Sequence, residues 1–183
     1  MNLANATTIS RIFLIPIIIW IYLSGIEYAY FWSALLFSLA SLTDWLDGFL
    51  ARKLKQSSDF GAFLDPVADK LLVASILLLL LTIYSAILIA VAIIIFRELL
   101  VSALREWMAA REQRDTVKVA FIGKLKTTVQ MLAIITLLYN SPQSPAWIWL
   151  CGYWLINLAA VLSVWSMIIY FRNAWGVLFP TTN

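Results

Sequence analysis

The sequence predicts an all-α, polytopic membrane protein with six transmembrane helices, and three observations predict it. Of 183 residues, 63% are hydrophobic and 13% charged, with a mean hydropathy of +0.90; a soluble domain has roughly 45–50% apolar and about 25% charged residues. The apolar residues form long uncharged runs. About 20 such residues let a helix cross hydrocarbon while satisfying its own backbone hydrogen bonds. The thirteen Lys and Arg collect on one side of the topology these runs define, as cytoplasmic loops do. The length accommodates a single domain, residues 1–183. One cysteine, Cys151, and no histidine exclude an internal disulfide and a zinc-type ligand cluster. Nothing in the composition or motifs points to nucleic acid.

Each span has its own justification. Residues 1–10 are small and polar, and Arg11 precedes fifteen uncharged residues, 12–26. Trp20-Ile21-Tyr22 closes that run with bulk rather than a small-residue cleavage site, so it reads as a retained first span. Pro16 lies within it, a kink that neighbouring helices tolerate. Asn5, Thr8 and Arg11 are three apart and share a face at the inner end, which serves equally as a helix cap and an interfacial anchor. The second span covers about 30–50, and a polar turn, 52–59, separates it from a third that runs from Gly61 to about Ile83. The uncharged run 71–96 is 26 residues long, too long for one helix once its flanks are added, and a break is expected at Thr82-Ile83-Tyr84-Ser85. The fourth span ends near Met108. A charged stretch, 105–126, precedes a 45-residue uncharged run, 127–171, which the turn cluster Asn140-Ser141-Pro142-Gln143-Ser144-Pro145 divides into the fifth and sixth spans.

With both termini inside, the outer loops near Glu27, Tyr84 and Pro142 carry no base, and only Arg97 is unusually deep. The Gln143 loop is then outside and the Gln113 loop inside. Trp20, Trp32, Trp147, Trp149 and Trp154 mark the outer interface, and Trp45, Trp107 and Trp175 the inner one.

Within this apolar frame four carboxylates cluster: Asp44 and Asp47, three apart, and Asp65 and Asp69, four apart. On helices each pair occupies one face. A charge near hydrocarbon costs roughly 2.5–3.5 kcal/mol, so four acids require compensation. Hard oxygen ligands suit Mg²⁺ or Mn²⁺. Gly48 leaves room for close approach of a ligand, and Arg52 offers a planar donor fork for phosphate. The residues alone therefore point to a metal site beside a phosphate-binding arginine, at the inner ends of two helices.

The stretch resembles the signature of the CDP-alcohol phosphatidyltransferases, D-x2-D-G-x2-A-R-x8-G-x3-D-x3-D, at all eight fixed positions: Asp44, Asp47, Gly48, Ala51, Arg52, Gly61, Asp65 and Asp69. Two further segments are similar to those of bacterial members that use sn-glycerol 3-phosphate. One is R-E-x-x-x-S-A-x-R-E, containing Arg97, Glu98, Ser102 and Arg105; the other is G-K-x-K-T-x-x-Q, containing Lys124, Lys126, Thr127 and Gln130. The opening Asn5-x-x-Thr8-x-x-Arg11 also looks like the family's. Taken bare, Arg97 and Glu98 equally read as bundle-holding ion pairs, and the lysines as snorkelling headgroup contacts.

The resemblance implies transfer of a phosphatidyl group from CDP-diacylglycerol to sn-glycerol 3-phosphate, with release of CMP. It implies two Mg²⁺ (or Mn²⁺) ions held by Asp44, Asp47, Asp65 and Asp69, with Asp69 also the general base. CDP-diacylglycerol would be held by Asp44, Gly48, Ala51, Arg52 and Gly61. The acceptor dianion needs its own bases, for which Arg97, Arg105, Lys124 and Lys126 are candidates. Thr127, and Thr128 beside it, would add hydroxyl donors. A homodimer among membrane lipids, in the bacterial inner membrane with the site facing the cytosol, is also implied. The acidic signature leaves other acceptors open: inositol phosphate, serine or phosphatidylglycerol. A divalent-cation transporter is the alternative of another class, although it favours acids at the bilayer midplane and internal repeats.

Overall fold

The structure, a computed structural model, describes residues 3–54, 59–111 and 121–179, with side chains described over 9–43, 64, 66–111 and 122–179. The described residues form six α-helices: α1 (Leu3–Leu23), α2 (Ala29–Leu54), α3 (Asp59–Ile83), α4 (Leu88–Ala110), α5 (Phe121–Tyr139) and α6 (Ala146–Leu178). Among the described residues there is no strand. Three stretches, Pro66–Ile83, Ser85–Ala110 and Ala146–Leu178, are long and apolar enough to cross a membrane, and Ile9–Leu23 and Ala29–Thr43 are shorter apolar helices. α5, at 19 residues, spans about 28 Å at the α-helical rise. The six spans expected from sequence are all present.

One boundary differs from a plain hydropathy reading, and another falls where it was expected but for a reason the sequence did not show. α1 begins at Leu3, so the polar opening residues are already helical, and it ends at Leu23 rather than continuing to Ile26. Ser24 Oγ donates to the Ile21 carbonyl (2.8 Å), and Gly25 turns left-handed at φ +67°, a stop that glycine permits without a steric penalty. The break between α3 and α4 falls at Tyr84, followed by a 3₁₀ turn, Ser85–Ile87. No Gly or Pro marks it. Its cause is tertiary: the Tyr84 hydroxyl donates to the Asn140 carbonyl (3.1 Å) and accepts from Asn140 Nδ2 (3.0 Å), while its ring lies 4.7 Å from that of Trp149. The turn cluster between α5 and α6 is thereby clasped to the α3–α4 turn at the outer end.

The helices pack in a closed ring. α1 contacts α2 and α3, α2 contacts α5, α5 contacts α6, α6 contacts α4, and α4 returns to α3, with α3 also touching α5 across the middle. One apolar core draws on all six, through Ile18, Phe37, Ile76, Ile94, Ile134 and Ile156, each fully buried. A smaller cluster of Val101, Leu104, Met108, Tyr170 and Ala174 joins the inner halves of α4 and α6. Large apolar side chains also face outward; Ile89 is 74% exposed and Trp147 67%, which water would penalise and lipid does not. Three hydroxyls inside the spans are satisfied locally: Ser38, Ser41 and Thr136 each donate to the carbonyl four residues back, so these carry no unpaired donor into hydrocarbon.

The tightest junction is α5 against α6. A Cβ at Gly152 would lie 2.7 Å from Leu137 Cδ2, and Leu137 is itself fully buried. Gly152→Val is therefore expected to destabilise the bundle by about 1–3 kcal/mol, read as an earlier thermal midpoint in detergent. Single cysteines give the orientation: one at Gln143 should react with an impermeant maleimide in intact cells, and one at Arg111 only after permeabilisation.

Candidate active site

A cavity of about 230 Å³ opens between α1, α2, α3, α4 and α5. Its charged wall is formed by Arg11, Asp69, Lys70, Glu98 and Lys126, with Thr127 and Gln130 beside them; its deep end is apolar, with Leu77 and Ile94. Five helices thus bring together residues that lie far apart in sequence.

Two buried ion pairs organise the charged wall. Arg11, at 3% side-chain exposure, pairs with Asp69, joining α1 to α3. Lys126, at 2%, pairs with Glu98, joining α5 to α4. Glu98 also receives Arg97 Nη1 at 3.5 Å. Arg97 itself turns towards α6. Its Nη2 donates to Ser166 Oγ (2.6 Å), Ser166 Oγ in turn donates to the Ser163 carbonyl (3.0 Å), and the guanidinium sits 5.7 Å from the Tyr170 ring centroid. With its guanidinium held against Ser166 and Tyr170, Arg97 is not among the residues that line the cavity, whereas Glu98 is.

The residues expected at the site are distributed as follows. Asp69, Lys126 and Thr127 line the cavity. Arg97 is buried behind it and reaches it only through Glu98. Arg105 and Lys124 are exposed and are not among the lining residues. The Thr127 hydroxyl donates to the Gly123 carbonyl (3.0 Å) and that of Thr128 to the Lys124 carbonyl (3.2 Å). Their protons therefore serve the helix rather than an anion, because a β-hydroxyl in a helix finds the carbonyl four back within reach. Asp44, Asp47, Gly48, Ala51 and Arg52 belong to α2, and Gly61 and Asp65 to α3; their side chains lie outside the described residues. Only four residues separate the end of α2 from the start of α3, so the chain itself keeps both aspartate pairs at the same end of the bundle as Asp69.

Four charged or amide lining residues went unassigned in the sequence reading: Arg11, Lys70, Glu98 and Gln130. A signal for each was present, since Arg11 closes the Asn5-x-x-Thr8-x-x-Arg11 pattern, Lys70 follows the last signature aspartate, and Glu98 and Gln130 belong to the motifs around Arg97 and Lys124. What was missing was which helix each one faces.

A helical bundle with long apolar spans and a charged cavity beside an aspartate signature defines the class: an integral-membrane protein with a polar site between its helices. The chain belongs to the CDP-alcohol phosphatidyltransferase family, whose model matches residues 1–165. It is 44% identical over 179 residues to a CDP-diacylglycerol–glycerol-3-phosphate 3-phosphatidyltransferase of Salmonella choleraesuis, covering 97% of each chain. Proteins of the same name from Pseudomonas fluorescens (45% identical, 96% of this chain and 91% of that one) and Escherichia coli (43%, 94% of each) are similarly close. The family is divalent-metal dependent.

Removing the charge of Glu98 leaves Arg97 and Lys126 facing one another in a dry wall. Breaking a buried pair costs about 3–5 kcal/mol, and partial exposure of Glu98, 30%, reduces this through solvent screening. Glu98→Gln is expected to lower stability by about 2 kcal/mol, measured by thermal unfolding in detergent.

Proposed function

We propose that this chain transfers the phosphatidyl group of CDP-diacylglycerol to sn-glycerol 3-phosphate, forming phosphatidylglycerophosphate and CMP in phospholipid synthesis. The observation that carries this reading is the convergence, in one cavity, of a signature carboxylate (Asp69) with the cations Arg11 and Lys126. A nucleophilic hydroxyl needs a proton acceptor, and a phosphorylated alcohol needs buried positive charge. Here both lie on the walls of the same space.

In the reaction the terminal hydroxyl oxygen of the acceptor bonds to the β-phosphorus, the bond to the CMP oxygen breaks, and CMP departs with that electron pair. Asp69 takes the hydroxyl proton. Its carboxylate, 41% exposed, is open to the cavity, and Arg11 holds it there. Lys126 binds the acceptor phosphate, with Glu98 fixing the ammonium until the substrate arrives. Arg97 supports the pair from behind, and Arg105 and Lys124 raise the local concentration of anionic substrate from outside the cavity. On α2, Gly48 and Ala51, with Gly61 on α3, keep room for the cytidine diphosphate, and Arg52 pairs with a phosphate.

The donor set fits divalent metal: four aspartates at helical spacings on two adjoining helix ends, all hard oxygen ligands. Asp44, Asp47, Asp65 and Asp69 would hold Mg²⁺ or Mn²⁺, in our reading two ions, which neutralise the diphosphate. The protein is a multi-pass membrane protein, and we place its site on the cytosolic side of the bacterial inner membrane, in a single domain that works as a homodimer. A phosphorylated acceptor is favoured over free serine or inositol because, among the described residues, the cavity wall carries three cations, Arg11, Lys70 and Lys126, against two carboxylates, Asp69 and Glu98.

The test supplies purified protein with CDP-diacylglycerol, Mg²⁺ and one alcohol at a time, following CMP release. Only sn-glycerol 3-phosphate should support turnover. Asp44→Asn, Asp47→Asn and Asp65→Asn should abolish it, and Asp69→Asn should stop chemistry while sparing donor binding. Lys126→Met should raise KM for the acceptor about tenfold to a hundredfold, the worth of a charge-assisted contact, while leaving KM for CDP-diacylglycerol nearly unchanged. Equal use of plain glycerol would overturn the assignment.

A further inference from the structure

Gln130 is a motif residue of α5 that the mechanism above leaves idle, and the structure gives it an unusual setting. It is 3% exposed, yet it borders the cavity, and its side-chain carbonyl oxygen is buried with no hydrogen-bond partner among the described residues. A buried amide oxygen left unmatched is costly, and such groups are rare unless something outside the chain completes them. Gln130 lies four residues beyond Lys126 on the same helix, hence on the same face and about 6 Å further along the axis. The cavity therefore presents an ammonium and, one turn deeper on the same wall, an unpaired amide. The carboxylate of Asp69 comes from α3 on another wall.

We propose that Gln130 is a specificity-determining residue that hydrogen-bonds the middle (C2) hydroxyl of the acceptor. This rests on the proposed function and sharpens it. The acceptor has three polar features in a row: a phosphate, a secondary hydroxyl and the terminal hydroxyl that reacts. With the phosphate on Lys126 and the reacting hydroxyl on Asp69, the secondary hydroxyl is the group left over, and Gln130 is the uncharged polar side chain left over on the wall. A hydroxyl both donates and accepts, so it satisfies either end of the amide. Sites built around such a contact reject an analogue lacking the hydroxyl, because the protein group is then stranded.

The test compares sn-glycerol 3-phosphate with 3-hydroxypropyl phosphate, which keeps the phosphate and the terminal hydroxyl but lacks the one at C2. The parent protein should prefer the former by roughly tenfold to a hundredfold in kcat/KM, the range expected for leaving a buried polar group unmatched. Gln130→Met, similar in length but without the amide, should bring the two substrates within about threefold of each other, chiefly by lowering the rate with sn-glycerol 3-phosphate. Gln130→Glu, which keeps an oxygen at the same reach, should retain the preference. Because each protein is judged by a ratio of two substrates, loss of folded material does not affect the outcome. If Gln130→Met accumulates too poorly to assay, the parent and Gln130→Glu ratios decide. A parent that does not discriminate, or a Met variant that discriminates equally well, would overturn the assignment to Gln130 while leaving the transferase reading intact. A parent inactive with sn-glycerol 3-phosphate would remove both.

Discussion

The arrangement depends first on the cost of charge in a low-dielectric bundle. Arg11 and Lys126 are almost completely enclosed, and the structure tolerates them because each meets a carboxylate from another helix. These pairs do more than neutralise charge. Arg11 with Asp69 ties α1 to α3, and Lys126 with Glu98 ties α5 to α4, so both pairs cross the cavity rim. The ring is thereby fastened at one end by electrostatics, through its middle by apolar packing, and at the other end by Tyr84 and Asn140. Such pairs contribute little net stability compared with an apolar replacement. Their value, on the proposed function, is a polar, pre-formed wall for a soluble dianion.

On the proposed function, the same pairs also govern how substrate is admitted: a phosphate would offer Lys126 what Glu98 already offers, so binding would be an exchange of partners rather than a new desolvation. The lysine's cost of burial is met when the protein folds, and the incoming anion need only compete with Glu98, which is itself part-exposed. Behind them, Arg97 keeps Glu98 from being left as a lone buried acid at the moment of exchange. This gives Arg97 a role although it faces α6 through Ser166 and Tyr170.

Much of the fold was legible in the sequence because hydropathy, turn residues and the one-sided distribution of bases all express the same bilayer constraint. The division at residues 140–145 and the aspartate spacing needed nothing further. Helix faces were not legible. In a soluble helix the apolar stripe identifies the buried side, but a membrane helix is apolar towards lipid and core alike. Nothing in the sequence distinguished Arg97 facing α6 from Arg97 facing the cavity, or exposed Lys124 from buried Lys126 two residues on. Arg11 was recognisable as an interfacial base, but its partner lies 58 positions away and only the packing of α1 on α3 brings them together. The end of α3 at Tyr84 was expected on length alone; its cause, a tyrosine that belongs to the outer clasp, required the partner loop.

The apolar end of the cavity has a consequence of its own. The charged wall stops at Leu77 and Ile94, and Ile18, Phe37 and Ile134 continue the seal towards the clasped outer turns, all fully buried. A membrane that stores energy as an ion gradient cannot host a polar tunnel that runs from one face to the other. By ending its hydrophilic space against a plug of fully buried apolar side chains, the protein can keep a charged chamber within the bilayer while opposing the passage of ions beyond it. The fully buried core is thus an electrical barrier as well as a packing core.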